Sequence, residues 1–497
     1  MSRGRSYTMG DLDHTIGWNP REMSADSAIV GNIDAVRARA RDLARNNPYC
    51  VNFLRNAVSN IVGANGVTFQ GRLRFSGGKS AGKLDKAANT IFETLYKAAC
   101  KAKNKPTRDG KKSLKRAQDL WVRSLIIDGE VIIMFHPGTS KNDSRFQIEF
   151  IDPSRLDWTK TERLSNGNEI RMGVEMDPDG EPVAYWLLEN APNDMLLGSA
   201  TRHRHQRVEA RYIRHTFVEE QAGQTRGVTH LASAGLRAHL IEAFEKATVI
   251  GGIVAARKVG FYKINQEKAE DYGVLGNAIE DSDDECEDVN DDAVMIQNVE
   301  DGQFEQLPSY VDGLESFDAD YPPANFEEFE KRMIRGMAAG IGGQYHSVAN
   351  DLEGVNYSSI RAGELEQREV WKGLQNLLIE EFLEFHFEGW GAMLSLRNDI
   401  KIDRAKLMRM LDLDLFEFVP RGWSWVDPLK EMKANEMALK LRLTTRNKIT
   451  TESCGRDFAD VFEEAADEEE MMRERGVEPW PEDVAQEEEK KESDEEE

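Results

Sequence analysis

The stretch His346–Trp371, HSVANDLEGVNYSSIRAGELEQREVW, decides how the rest of this chain is read. A glycine-rich break, GMAAGIGGQ (Gly336–Gln344), precedes it, and a segment with helical apolar spacing follows from Leu365 to Phe387. Glycine reaches backbone conformations that other residues avoid, so Gly336, Gly340, Gly342 and Gly343 read as hinges around a mobile loop. From Gly336 to Ile360 there is no Lys or Arg. The segment offers Gln344, Tyr345, His346, Asn350, Asn356 and Tyr357 instead, with Asp351 and Glu353 as its acids. It contains no nucleophile–base pair and no metal-ligand spacing.

Upstream of the break, two helices flank a small module. In the first, Leu236, Leu240, Ala243, Ala247, Ile250 and Val254 recur at steps of four and three, and many other positions are Ala or Gly. Two readings stay open for it. It is either an ordinary buried helix, or a helix packed closely against copies of itself, with Ala243 and Ala247 at the contact. The second helix opens with Phe326, Phe329, Met333 and Met337 and ends in the glycine cluster. Between the two helices lie an expected strand at Phe261–Ile264, an acidic run and an expected hairpin at 294–307 around Asp301-Gly302.

Nearer the N-terminus, residues 1–24 are polar and expected to be mobile. Ile29, Ile33, Val36, Ala40 and Leu43 mark one helix face, with Arg37, Arg39, Arg41 and Arg45 opposite. Asn47-Pro48 ends that helix and caps the next. Leu84, Ala88, Ile91 and Leu95 mark a third helix, and Ala117, Trp121 and Leu125 a fourth that ends at Asp128-Gly129. Strands are expected at Val131–Phe135, Phe146–Phe150, Ile170–Met176, Val183–Leu188 and Val208–Val218, with Asp177-Pro178-Asp179-Gly180 as a turn. Phe416–Trp425 reads as extended, and a helical C-terminal region starts at Asp427-Pro428. The fold class is α+β.

At 497 residues the chain is long enough for more than one domain and a large core. No run of about 18 apolar residues suggests a membrane span, and the N-terminus carries no secretory signal. Cys50, Cys100, Cys286 and Cys454 are far apart and read as free thiols. The net charge of −25 is uneven: Glu463–Glu497 carries −14 and Glu280–Asp292 carries −9, leaving −2 for the rest. A near-neutral body is not a conventional DNA-binding surface.

The candidate chemical motifs fail one by one. Gly78-Lys79-Ser80 lacks the glycine a phosphate loop needs at Leu73. His203-x-His205 sits among Arg202, Arg204, Arg207 and Arg211 without further metal ligands in sequence. The acidic run at 280–292 lacks the spacing of a calcium loop. Lys101–Arg123 holds nine basic and two acidic residues. It is either a phosphate-contacting patch or a solvated face that pairs with acids of a neighbour. No catalytic residue, cofactor or metal is assigned.

The pieces that carry a family resemblance are RARARDLARNNPY (Arg37–Tyr49), IVGANGVTFQGR (Ile61–Arg72), the Arg214–Phe261 segment, NDLEGVNYSSIR (Asn350–Arg361) and the Asp427–Glu470 segment, in which an Asp-Pro start, Thr445-Arg446 and Gly455-x-Asp457 recur. Together and in this order they resemble the lambda-type portal proteins of tailed phages. The resemblance implies a ring-forming portal fold. The wing would be 25–228 with 358–427, the stem 229–256 and 324–340, and the clip 257–318. The tunnel loop would be 341–357, the crown 428–476, and 477–497 an acidic, disordered tail. It implies a ring, usually of twelve subunits, at one capsid vertex of the virion, assembled in the host cytoplasm. Partners would be the terminase large subunit, head-completion proteins, major capsid and scaffold proteins, and double-stranded DNA passing non-specifically. Gln344, Tyr345, His346, Asn350, Asn356 and Tyr357 would face that DNA. The role would be passive guidance, not catalysis. A different head–tail adaptor ring and a terminase-like nuclease or ATPase are the competing classes.

Overall fold

The computed structural model describes residues 22–77, 82–192, 204–256, 260–264, 311–316, 326–353, 356–423, 428–454 and 458–476. The loop at Gly78-Lys79-Ser80, His203, the acidic run at 280–292, the expected hairpin at 294–307 and the tail past Gly476 lie outside them.

The chain begins with α1 (Ala25–Val30), α2 (Ile33–Asn46) and α3 (Pro48–Ile61). One helix was expected across Ile29–Leu43; a break at Gly31-Asn32 divides it. The boundary at Asn47 is as read: its side chain accepts from the Cys50 amide at 3.1 Å, and Pro48 takes the first helical position, where its missing N–H costs nothing. Strand β1 (Thr68–Gly71) leads to α4 (Lys86–Ala99). Of the expected stripe Leu84, Ala88, Ile91 and Leu95, Ala88 is buried and Leu95 packs on the core, but Ile91 is 50% exposed and Phe92 and Tyr96 complete the buried face instead. Asn89 explains the rotation. Its side chain bonds both the amide and the carbonyl of Leu73, at 3.0 and 3.1 Å, and so pins the helix by a polar residue that periodicity ignores. Helix α5 (Leu114–Asp128) starts at Ser113 and stops at Gly129, whose φ of +83° and close approach to the Val228 backbone exclude a side chain.

Eight strands follow: β2 (Glu130–Pro137), β3 (Phe146–Ile151), β4 (Glu162–Arg163), β5 (Glu169–Arg171), β6 (Val174–Met176), β7 (Pro182–Leu188), β8 (His205–Glu209) and β9 (Ile213–Phe217). They form one sheet in the order β3-β2-β9 and another in the order β4-β5-β6-β7-β8, all antiparallel. Two expected strands prove to be two strands each. Ile170–Met176 turns back at Met172-Gly173, where φ is +47° and +87°, the mirror-image turn that suits a tight hairpin. Val208–Val218 is cut by a 3-10 turn at Ala210–Tyr212, so β8 ends one sheet and β9 enters the other.

Then come α6 (Gly235–Ala256), β10 (Gly260–Ile264) paired with β11 (Val311–Ser316), α7 (Phe326–Gly340), α8 (Tyr345–Ala349) and α9 (Tyr357–Leu378). A π-helical segment (Ile379–Glu384) joins α9 to α10 (Phe385–Ser395). After α11 (Arg404–Asp412), β12 (Phe416–Val419) pairs with β1, and the expected extension to Trp425 stops at Val419. Helices α12 (Pro428–Lys440), α13 (Arg446–Cys454) and α14 (Phe458–Glu474) complete the described chain.

The β1–β12 pairing closes the body: residues near 70 meet residues near 417. Phe69, Tyr96, Phe387, Phe416 and Phe418 stack around it, with Phe69 and Phe387 ring centres 4.3 Å apart. A second lock is ionic. Glu130 is fully buried and accepts from Arg37 at 2.8 Å, from His215 at 2.9 Å and from Arg226 on both oxygens. Arg226, itself fully buried, also donates to the carbonyls of Pro153, Leu156 and Met172. Burial opposes ionisation of Glu130, but the charges and hydrogen bonds of Arg226 and His215 overcome it and hold the carboxyl well below its usual range. Arg37, expected on an outer face, is thus interior, and Arg41 bridges Asp128 and Asp152 at 2.6 and 2.7 Å.

Candidate functional site

The polar segment after the glycine break can be placed only by way of the two helices before it. Aligned points show that α6 and α7 are antiparallel: Gly340 lies against Ala234, Gly336 against Arg237, and Phe244 against Phe326 and Phe329 with ring centres 5.5 and 5.3 Å apart. At 1.5 Å per residue, α6 is about 33 Å long.

Among the described residues, burial on α6 is confined to its first turns, at Ala234, Ala238 and Ile241. The apolar face read from the sequence points elsewhere. Leu240, Phe244, Val249, Ile250 and Ile253 are exposed, Val249 and Ile250 by more than 60%, and Ala243 and Ala247 lie exposed among them. The simple buried-helix reading is therefore corrected: within one chain this face has no cover among the described residues. These residues lie all round the helix beyond its first turns, and apolar exposure of this extent marks an interaction surface.

Three of the four glycines read as hinges have a packing reason. A side chain on Gly336 would strike the Arg237 guanidinium, one on Gly340 would sit 3.0 Å from the Ala234 methyl, and one on Gly343 would sit 2.8 Å from Val348. Gly342 alone of the four has a positive φ, +71°. The segment itself is not a plain loop over its described residues. Tyr345–Ala349 is a helical turn that buries Val348, and Asn350 ends it in the left-handed conformation at φ +54°. Two asparagines of α3 hold it. Asn52 donates to the carbonyls of Ser347 and Val348 at 2.8 and 3.0 Å, and Asn56 donates to the Ser347 carbonyl and hydroxyl at 3.1 Å.

The expected DNA-facing residues accordingly divide. Gln344, Tyr345 and His346 are half-buried. The Gln344 amide packs on Gly363 of α9. The Tyr345 hydroxyl donates to Asp351 at 2.7 Å, its ring lies under Arg335, and burial with that hydrogen bond pushes the phenol up to about 12. Asn350 and Asn356 are exposed, as are Leu352 and Glu353. The side chain of Tyr357 lies outside the described residues. Asn52 and Asn56 are the residues the sequence reading missed. The signal was present: Asn52, Asn56 and Asn60 recur every fourth position on one face of α3, and Asn60 accepts from Trp423 at 2.8 Å. Beside the turn, Phe53, Ser233, Ile341, Trp371 and Leu374 line a groove of about 760 Å³.

Among the described residues no cluster of three or more His, Cys, Asp or Glu is placed to hold a metal. His205 instead pairs with Asp157 at 2.7 Å. No helix among the described residues is long and apolar enough to cross a membrane.

An α+β body bearing an antiparallel helix pair matches the architecture that the portal resemblance implies. The sequence comparisons decide the family. The family model described as phage portal protein, lambda family, matches residues 13–375. The chain is 31% identical over 453 residues to the probable portal protein of Halomonas phage phiHAP-1, covering 91% of this chain and 83% of that one. It is 21% identical over 492 residues to portal protein B of Escherichia phage lambda, covering 93% and 88%. Among solved structures, the neck of an empty gene transfer agent (GTA) particle aligns with TM-score 0.40 at 11% identity, covering 83% of this chain and 92% of that one. The chain belongs to the lambda family of phage portal proteins.

Proposed function

We propose that this protein assembles into a ring of about twelve subunits at one capsid vertex of the virion and guides double-stranded DNA through its centre during packaging and ejection. The observation that carries the reading is the uncovered face of α6. The exposed apolar residues of α6 from Leu240 to Ile253 need cover. Identical neighbours related by rotation supply it in a closed ring, because the surface repeats with each copy. The exposed apolar residues of the C-terminal helices, including Leu429, Met432, Leu441 and Phe462, want the same cover.

The region 257–318 between the two stem helices would dock the terminase large subunit and later the head-completion proteins, and the outer body would meet major capsid and scaffold proteins. The turn at 341–353 would face the channel through Asn350, Leu352 and Glu353. A segment without Lys or Arg suits a passage that must let DNA slide, since each cation paired with phosphate adds affinity by counterion release. The role is passive: the ring holds and orients, and the motor supplies the work. Assembly would occur in the host cytoplasm.

Negative-stain imaging with mass photometry of the purified protein tests this directly. Rings with a central hole and no ATP hydrolysis or DNA cleavage are expected. A compact monomer at micromolar concentration, or turnover that disappears on mutation of one carboxylate, would overturn it.

A further inference from the structure

Strand β1 leaves one of its edges open. Among the described residues its only strand partner is β12. The Arg72 amide donates to the Leu415 carbonyl at 2.9 Å, which fixes the phase of that ladder. Thr68 and Gln70 bond β12, and Val67, Phe69 and Gly71 turn their amides and carbonyls to the outer edge. Side chains of α4 and α5 plug most of that edge. Gln118 accepts from the Val67 amide at 2.9 Å and donates to the Val67 carbonyl at 3.4 Å. Glu93 accepts from the Gly71 amide at 2.9 Å, and Asn89 bonds both backbone groups of Leu73. Between these plugs, the Phe69 amide and carbonyl have no hydrogen-bond partner among the described residues.

The gap has a chemical cause. Four residues of helix rise about 6 Å and two of strand about 6.6 Å, so α4 and the edge keep step. Asn89 meets Leu73, Glu93 meets Gly71, and Lys97 comes level with Phe69. An ammonium group only donates, so Lys97 cannot accept the Phe69 N–H as Asn89 and Glu93 accept theirs. The open position lies in a groove of about 590 Å³, lined by Phe69, Tyr96 and Leu114 together with Lys97, Lys101 and Lys115. The Leu114 amide donates to the Cys100 carbonyl at 2.9 Å, so the lysine-rich loop between α4 and α5 closes beside it. Between Lys97 and Arg116 there are nine basic residues and one acid. Lys112 and Lys115 are paired with Asp109 and Asp119, whereas the exposed Lys97, Lys101, Lys103 and Lys105 are in no ion pair among the described residues.

We propose that an extended, acidic segment of a partner protein adds a strand to β1 in this groove, exchanging backbone hydrogen bonds with Phe69 and setting its carboxylates against Lys97 and Lys101. An unpaired strand edge is a template for a further strand, and main-chain hydrogen bonds give such added strands their affinity. The cations around the groove select the charge of the segment. A phosphate backbone has no hydrogen to give the Phe69 carbonyl, whereas a peptide brings a donor and an acceptor together. A single subunit offers the whole site, so it stands or falls apart from ring formation.

Fluorescence anisotropy of the full chain with a labelled synthetic peptide, EEVTVTVEE, tests the site. The peptide should bind at low salt and slow hydrogen exchange over residues 67–71. Binding should weaken about tenfold in K101E/K103E, where attractions become repulsions. It should weaken about tenfold again for the same peptide N-methylated at its valines and threonines, which cannot donate to the Phe69 carbonyl. Lys97→Gln carries the acceptor that lysine lacks, so it should plug the edge: exchange of the Phe69 amide slows without peptide, and peptide binding drops. Failure of the peptide to bind, binding indifferent to N-methylation, or tighter binding of a ~20-bp duplex through the same lysines would overturn the proposal.

Discussion

Single side chains fix the two features on which the rest depends. Glu130 joins α2, β2, β9 and the 226 turn through Arg37, His215 and Arg226. Breaking a buried ionic cluster by removing one charge leaves the others uncompensated, so Glu130→Gln should lower stability by about 3–5 kcal/mol at neutral pH. The pH dependence has a definite sign. The folded carboxyl titrates below its unfolded value, so its contribution is present above the ordinary glutamate range of about 4.3 and is lost as pH falls through the lower folded value. Thermal melts from pH 3 to 8 should therefore show the gap between wild type and variant closing at the acidic end; a constant gap would mean the charge is not what matters. Asn52 and Asn56 are the other pair. Each hydrogen bond of this kind is worth about 1 kcal/mol. In N52A/N56A, hydrogen exchange of the amides near 345–350 should accelerate while the α3 amides stay protected, and unchanged exchange would show that the turn is held by Val348 packing alone.

At the scale of elements, α6 carries the contrast between what a helix is built for and what one chain gives it. Its surface is strongly apolar, and its partner α7 covers only part of it, by stacking Phe326 and Phe329 on Phe244 and by closing on Arg237 and Ala234. Ala247 is exposed among the described residues, so a tryptophan there disturbs none of their contacts. Placed against a close neighbour it would overpack each contact by about 1–3 kcal/mol. Ala247→Trp is expected to give a folded protein, with unchanged circular dichroism, that no longer forms rings by mass photometry. Normal rings would put this face outside the subunit contact.

For the whole molecule, the charge distribution is the property to test: a near-neutral body, a segment at 336–360 without Lys or Arg, and acids collected at 280–292 and in the last 35 residues. Leu352 tests whether the turn at 345–353 meets DNA. It is exposed and its backbone is unstrained, unlike that of Asn350, whose positive φ would penalise lysine. Leu352→Lys adds one positive charge per subunit, about twelve around the ring, and log affinity for DNA rises with each phosphate neutralised. Packaging assays should show slowed translocation, relieved by added salt, with rings intact. Wild-type rates at low salt would mean that the turn stays clear of the DNA.

The family and the fold class were legible in the chain because they rest on local signals: caps at Asn47 and Ser113, the stop at Gly129, helical spacing in α5 and α6, and a string of motifs in fixed order. The stretch from Gly336 to Ile360 also announced by its composition that no Lys or Arg would be presented there. Tertiary structure decided what local signals cannot encode. Asn89 turned α4 away from its periodic face by bonding a distant backbone, and a mirror-image turn at Met172-Gly173 made two strands from one apolar run. The Asn52 and Asn56 side chains converted an apparent glycine-hinged loop into a docked turn. The turn at Met172-Gly173 is local but invisible to apolar alternation, whereas the two asparagine outcomes depend on contacts between residues separated in sequence, whose energy exists only once the chain has closed upon itself; helix caps and apolar spacing act within a few residues and are written in order.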